Sequence, residues 1–120
     1  MNLEMLQVEI NVDEALERLG QNEDLLFEIL EEMLDRSGED LERLEQAKEK
    51  LDWTTLAQHS HFLKGILANL AVVHLLSTTE SLEKAAREKN PSQVEQHFKA
   101  LQLGFERLKG LMKGQGDQLH

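Results

Sequence analysis

Cysteine and tyrosine are absent from this 120-residue chain, which also has a single proline, one tryptophan and four phenylalanines. Without cysteine, the chain has neither a disulfide framework nor a thiolate ligand for a metal ion. This composition fits a reducing compartment. The single proline and the 30% share of charged residues favour a helical fold.

Long apolar runs are absent as well. No stretch approaches the roughly 20 residues of a membrane-spanning helix, and the first ten residues carry acids but no basic segment of a signal peptide. We therefore expect a soluble, cytoplasmic protein with no membrane association. A length of 120 residues fits one domain with one hydrophobic core.

Net positive charge is also lacking, since the formal charge is −10. Residues 1–52 contain 17 acidic and 5 basic residues, whereas residues 53–120 contain 6 acidic and 8 basic residues. Nucleic acid is a poor candidate partner because phosphate backbones select basic surfaces. We interpret the acidic half as a solvated helix face.

Apolar residues recur with a helical period in every substantial segment. The pattern predicts five helices, over about residues 12–19, 23–50, 53–70, 73–88 and 91–112, and the last one starts at Pro91. Residues that commonly cap helix N-termini precede most of them, at Asn11, Asn22, Asp52 and Asn90. The 23–50 helix continues through Ser37 and Gly38 in this interpretation; two helices with a tight break there are the alternative.

Four long amphipathic helices and a short leading one, joined by short connections, predict an all-α fold: an antiparallel four-helix bundle with a short additional N-terminal helix. We expect an N-terminal lead over 1–11, the bundle over 12–113 and a flexible C-terminal tail over 114–120. The boundary between the third and fourth helices is the least defined, because no strong helix breaker separates Ala68 from Leu75.

The third predicted helix contains the most informative segment, His61-Phe62-Leu63-Lys64-Gly65-Ile66. Its inward stripe would be Leu56, Ser60, Leu63, Leu67 and Leu70, and this phase directs His61 and Gly65 towards solvent. Residues three and four apart are neighbours on a helix, so Lys64 and Gly65 lie about one turn from His61. The arrangement suits transfer of a phosphoryl group between proteins.

Each of these three residues has a chemical role in that interpretation. His61 is the phosphoacceptor, because neutral imidazole is a competent nucleophile near pH 7. Lys64 would stabilise the charge of a phosphoryl group. Gly65 costs about 1 kcal/mol relative to alanine in a helix interior, so it calls for a compensation. Clearance for a partner is our interpretation, and tight packing against a neighbouring helix is the alternative.

Other residues are weaker candidates. Gln58 lies three positions before His61 and can line a docking surface, and Arg87 on the next helix can add a second positive charge, although a plain surface pair with Glu83 explains it equally well. His59 points to another side of the helix from His61, and we predict a structural role for it. No metal site is expected, because His59 and His61 diverge at this spacing.

The segment resembles the histidine phosphotransfer (HPt) domain family in His61, Leu63, Lys64 and Gly65, and in Asn69 and Leu70 downstream. In arrangement, the resemblance covers roughly residues 12–112. One departure is Ala71, which stands where the family usually has a glycine that ends the histidine helix. Alanine costs about 1 kcal/mol more than glycine at positive φ. We therefore expect either another turn geometry or a later helix end.

The resemblance implies a component of a two-component phosphorelay, with His61 carrying a phosphoryl group between aspartates of response-regulator receiver domains. It implies receiver domains and a histidine kinase, including one of hybrid type, as partners. The chain would need no cofactor of its own, with Mg²⁺ on the receiver, and would be a phosphohistidine intermediate rather than a nucleotide-using kinase. We expect a monomer.

Two alternatives remain. A non-catalytic helical adaptor would bind a receiver or kinase without accepting phosphate, although the intact His61, Lys64 and Gly65 argue against it. The chain could also be the phosphoacceptor domain of a larger kinase of the chemotaxis type. The initial methionine favours a free-standing protein.

Overall fold

A computed structural model describes residues 3–118, with side chains to residue 113. This part of the chain forms a 3-10 helix, Leu3–Val8, and five α-helices: α1 (Val12–Arg18), α2 (Glu23–Glu49), α3 (Trp53–Asn69), α4 (Val73–Arg87) and α5 (Pro91–Gln118). It contains no strand, and the all-α prediction is confirmed. The first four predicted α-helices agree with the observed ones to within one residue at each end.

α2 is a single helix of 27 residues. It passes through Ser37 and Gly38 without interruption, so the alternative with a break there is wrong. Ser37 is fully buried, and its hydroxyl donates a hydrogen bond to the carbonyl of Leu34 at 2.6 Å. A serine that bonds back to its own helix satisfies its hydroxyl inside the core.

The four long helices form a closed bundle. α2 packs against α3 and α5, and α4 packs against the same two helices, whereas α3 and α5 make no extensive contact among the described residues. α3 and α5 are therefore diagonal to each other. Leucines from every long helix fill the centre, and those fully excluded from solvent include Leu26, Leu30, Leu44, Leu56, Leu63, Leu67, Leu82 and Leu101.

The N-terminal lead belongs to this core. Leu6 and Ile10 are buried, and the 3-10 helix packs against α1 and α5. Glu9 is buried as well, and it accepts a hydrogen bond from Nε of Arg107 on α5 at 2.7 Å. At the other end, residues 119 and 120 lie outside the described residues. The flexible tail over 114–120 stays a prediction.

The junctions α2–α3, α3–α4 and α4–α5 share one design. Each has three residues, and the middle one has a left-handed backbone: Leu51 (φ 55°), Ala71 (φ 54°) and Lys89 (φ 54°). The next residue donates its N–H to a carbonyl five positions back, as Asp52 does to Ala47 at 2.9 Å. This is the Schellman arrangement. Leu51 is 58% exposed because it lies in this turn.

Ala71 corrects both sequence-based expectations for the end of the histidine helix. α3 ends at Asn69 rather than later, and Ala71 itself adopts the positive φ that glycine would favour. Tertiary bonds hold this end in place. The carbonyl of Ala71 accepts from the Asn11 N–H at 2.8 Å, and the Arg18 guanidinium donates to the carbonyl of Asn69 at 3.0 Å. These bonds offset a cost of about 1 kcal/mol for alanine in this conformation.

Candidate phosphoacceptor site

α3 presents His61 to solvent. Asp52 caps the helix, accepting from the Thr55 N–H at 3.1 Å, and the whole predicted inward stripe is buried: Leu56, Ser60, Leu63, Leu67 and Leu70. With that face fixed against the core, the imidazole of His61 is 63% exposed. The predicted orientation of His61 is confirmed.

The residue that organises the site is Glu83 of α4. Its side chain is only 9% exposed, and Oε2 lies 3.3 Å from Nδ1 of His61. The Lys64 ammonium is 2.9 Å from Oε1. Nε and Nη2 of Arg87 donate to Oε2 at 3.0 and 2.7 Å. These four residues, His61, Lys64, Glu83 and Arg87, form what we call the His61 cluster.

The charge state of Glu83 follows from its neighbours. Burial raises the pKa of this carboxyl, but the ion pair with Lys64, the hydrogen bonds from Arg87 and the charge of His61 outweigh burial and lower the pKa to about 2. Glu83 is therefore an anion at neutral pH and can only accept. In a neutral His61 ring, a hydrogen bond to this anion requires the hydrogen on Nδ1, which leaves the lone pair on the exposed Nε2.

Gly65 opens the surface beside His61. A β-carbon built on Gly65 would meet no atom within 4 Å, so the alternative of tight helix packing is wrong. Gly104 on α5 shows the contrast, since a β-carbon there would overlap the side chain of Leu75. Gly65 is exposed, and one turn of α3 beside His61 therefore presents bare backbone to solvent.

His59 has the structural role predicted for it. The residue is 9% exposed, and its Nε2 lies 3.1 Å from Oδ1 of Asp40 on α2. Its ring stacks on Phe62 with 5.7 Å between the ring centroids. His59 therefore joins α3 to α2.

Gln58 and Arg87 line the same surface groove. This cleft of about 320 Å³ lies between the start of α3 and the end of α4, and Trp53, Thr54, Ala57, Ala86 and Lys89 complete its lining. Arg87 pairs with Glu83, four positions before it, and Glu83 in turn contacts His61. That Arg87 adds a second positive charge for a phosphoryl group stays a prediction.

Glu83, which the sequence predicts only as a surface partner of Arg87, is buried. A signal for its burial was present, because Glu83 falls four residues after Thr79 and three before Ala86. Thr79, Leu82 and Ala86 lie on the buried face of α4. A carboxylate at a core-facing position with a nearby arginine and lysine indicates a paired buried anion.

On its α2 side, α3 borders a groove of about 200 Å³. Its apolar lining consists of Ile29 and Met33 of α2 with Ile66 and Leu70 at the end of α3. Three charged residues of α2 complete the lining: Glu32, Arg36 and Asp40. Phe62 lies one turn before Ile66 and is 50% exposed. His61 therefore stands between a charged contact with α4 and an apolar groove on α2.

Two further kinds of site are missing from the described part of the chain. Residues 3–113 bring together no group of three or more histidines and carboxylates that could hold a metal ion. Within the same described region, no helix combines the length and apolarity needed to span a bilayer.

Comparison with known families agrees with this geometry. The sequence model of the Hpt domain matches residues 28–111, which include most of α2, all of α3 and α4, and most of α5. The chain belongs to the Hpt domain family, and its role is phosphotransfer in two-component signalling. Hpt domains generally interact with receiver domains and kinases. No curated protein and no solved structure matches the chain significantly.

Proposed function

We propose that this protein relays a phosphoryl group between aspartates of response-regulator receiver domains, with Nε2 of His61 as the carrier atom. The observation that carries the proposal is the pairing of His61 with Glu83. The ring is exposed, while Nδ1 faces a buried carboxylate at 3.3 Å. A partner thus meets a ring with a fixed tautomer.

The transfer is an in-line displacement at phosphorus. The lone pair of Nε2 forms a bond to phosphorus while the bond from phosphorus to the aspartyl oxygen breaks, and the aspartate leaves as a carboxylate. The second transfer reverses these changes on another receiver. Such reactions depend mainly on positioning and charge stabilisation. The receiver would supply Mg²⁺, and the chain would use no nucleotide.

The cations of the His61 cluster support a phosphorylated state. Lys64 and Arg87 carry two positive charges and Glu83 one negative charge, so the cluster has a net charge of +1 around a neutral His61. The Lys64 side chain is 31% exposed and lies one turn from His61 on α3. We propose that Lys64 stabilises the phosphoryl group directly and that Arg87 assists from α4.

The surface for the receiver would run across α3 from Gln58 to the apolar groove. Phe62 offers apolar area, and Gly65 lets the partner backbone approach His61. A small and partly polar contact suits a transient encounter, in which each partner must leave after transfer. We also propose that the protein acts as a monomer in the cytoplasm, where the lack of cysteine fits a reducing environment.

Transfer from a phosphorylated receiver tests the proposal. Purified protein should acquire an acid-labile, base-stable label from a receiver that carries radioactive aspartyl phosphate. His61→Gln should abolish the label and keep the helical circular-dichroism spectrum, and His74→Gln, at an exposed position of α4, should keep the label. A label that survives in His61→Gln refutes the proposal. Binding of every receiver tried without transfer would indicate the adaptor instead.

A further inference from the structure

Phosphorylation changes the demands on the other ring nitrogen of His61. Once Nε2 carries phosphorus and Nδ1 keeps its hydrogen, the ring is positively charged. If Nδ1 loses that hydrogen, the ring is neutral and becomes an anionic leaving group when the phosphoryl group departs. Retention of the Nδ1 proton therefore decides how readily a phosphohistidine gives up its group.

The structure places one anion against this proton. Oε2 of Glu83 lies 3.3 Å from Nδ1, and the carboxylate is buried between α3 and α4. The other charged groups at the cluster are the cations Lys64 on α3 and Arg87 on α4. On α2, Asp40 lies at 3.1 Å from His59. Retention of the proton on Nδ1 thus depends on Glu83, because the neighbouring cations disfavour a positively charged His61 ring.

We propose that Glu83 keeps the proton on Nδ1 of His61 in the phosphorylated protein, so that phosphoryl transfer proceeds without proton uptake or release. In the forward step Nε2 gains its bond to phosphorus, the aspartyl oxygen leaves with its electron pair, and the positive charge of the ring faces the carboxylate. In the onward step an aspartyl oxygen attacks phosphorus, the bond from phosphorus to Nε2 breaks, and neutral imidazole leaves with its Nδ1 hydrogen in place.

The physiological meaning of this inference rests on the proposed function, but its chemistry can be tested without a receiver. Potassium phosphoramidate phosphorylates exposed histidines directly: its bond from phosphorus to nitrogen breaks, ammonia leaves and the imidazole takes the phosphoryl group. In ¹⁵N-labelled protein, NMR then follows the protonation of Nδ1 against pH. His61→Gln identifies the signals of phosphorylated His61.

Glu83→Gln is the informative variant, because its amide oxygen can still accept from Nδ1 while the negative charge is gone. One charge at about 4 Å changes proton affinity several-fold even in bulk water, and more at a partly buried site. We expect the proton affinity of Nδ1 in phosphorylated His61 to fall about tenfold or more in Glu83→Gln. Glu80→Gln, which removes the same charge from an exposed position of α4, should change it less than about twofold.

An internal comparison protects the test against a variant that fails to fold. Phosphorylated His74, exposed on α4, should lose its Nδ1 proton at lower pH than phosphorylated His61 in the same wild-type sample. Equal proton affinities at the two histidines, or an unchanged affinity in folded Glu83→Gln, would overturn the inference.

Onward transfer gives a second readout. The rate of transfer to a receiver is measured from pH 6 to 9 and divided by the receiver's own pH dependence. For phosphorylated wild type this rate should not change with pH, whereas for phosphorylated Glu83→Gln it should decline as the pH rises. An equal decline in both proteins would overturn the inference. Lack of transfer to any receiver would count against the proposed function alone, because the NMR titration needs no partner.

Discussion

A side chain placed at Gly65 should make the protein more stable and less active. A β-carbon there meets no atom within 4 Å, so Gly65→Ala introduces no clash. Glycine in a helix interior is less favourable than alanine by about 1 kcal/mol. The substitution should therefore raise the free energy of unfolding by about 1 kcal/mol and the Tm by about 4 °C.

The larger variant Gly65→Gln should keep most of this gain, since glutamine is also a good helix former. Its side chain would project over the surface where we place the receiver. A displacement of the reacting groups by about 1 Å can cost roughly a hundredfold in rate. We therefore expect transfer from a phosphorylated receiver to slow by about tenfold to a hundredfold.

Gly110 provides the matched control. It lies on α5, diagonal to α3, and a β-carbon there also meets no atom within 4 Å. Gly110→Ala and Gly110→Gln should give similar stabilisation with an unchanged transfer rate. Unfolding in urea and single-turnover transfer measure the two quantities. Wild-type transfer by folded Gly65→Gln would refute the clearance role, and destabilisation by Gly65→Ala would refute the open geometry.

Three further predictions concern stability. The pKa of Glu83 is about 2 in the folded protein against an ordinary 4.5. Its ionised form therefore adds about 3 kcal/mol to the free energy of unfolding above pH 4.5, and this contribution is lost as the pH falls towards 2. In urea unfolding from pH 7 to 2, Glu83→Gln should lack this loss; a decline as steep as that of wild type contradicts the burial argument. Lys89→Gly should relieve the strain of the left-handed backbone (φ 54°). It should raise the free energy of unfolding by about 0.5 kcal/mol once the added freedom of the unfolded chain is subtracted. A Lys89→Ala protein as stable as Lys89→Gly would count against this. Leu6→Ala should cost about 3 kcal/mol, because Leu6 is fully buried, and a change below about 1 kcal/mol would show that the N-terminal segment is dispensable.

The orientation of the candidate nucleophile was predictable because a leucine stripe fixes the rotation of its helix. Because Leu56, Leu63 and Leu67 face the core, the period of 3.6 residues per turn places His61 on the exposed face of the helix. Helix boundaries were predictable for a similar local reason. N-cap residues such as Asn22 and Asp52 bond the third residue after them, and this depends on nearby sequence alone.

Features that depend on contacts between distant segments were not predictable. Ala71 keeps a left-handed backbone beside a bond from Asn11, sixty residues earlier in the chain. Glu83 is buried because α4 docks on α3 at one particular rotation, which places its carboxylate against His61 and Lys64. The covering of the core by Leu6 also needs the packing of the 3-10 helix on α5. Periodicity within one helix carries none of this information.

The diagonal position of α5 has a practical consequence for handling the protein. Leu103 on this helix is 60% exposed, and the natural chain contains no thiol. A single Leu103→Cys substitution would therefore create a unique attachment point for a fluorophore or a sensor surface. A protein immobilised there would expose the α3 surface around His61 to the solution. Receivers could then be ranked by their residence time on an unobstructed binding surface.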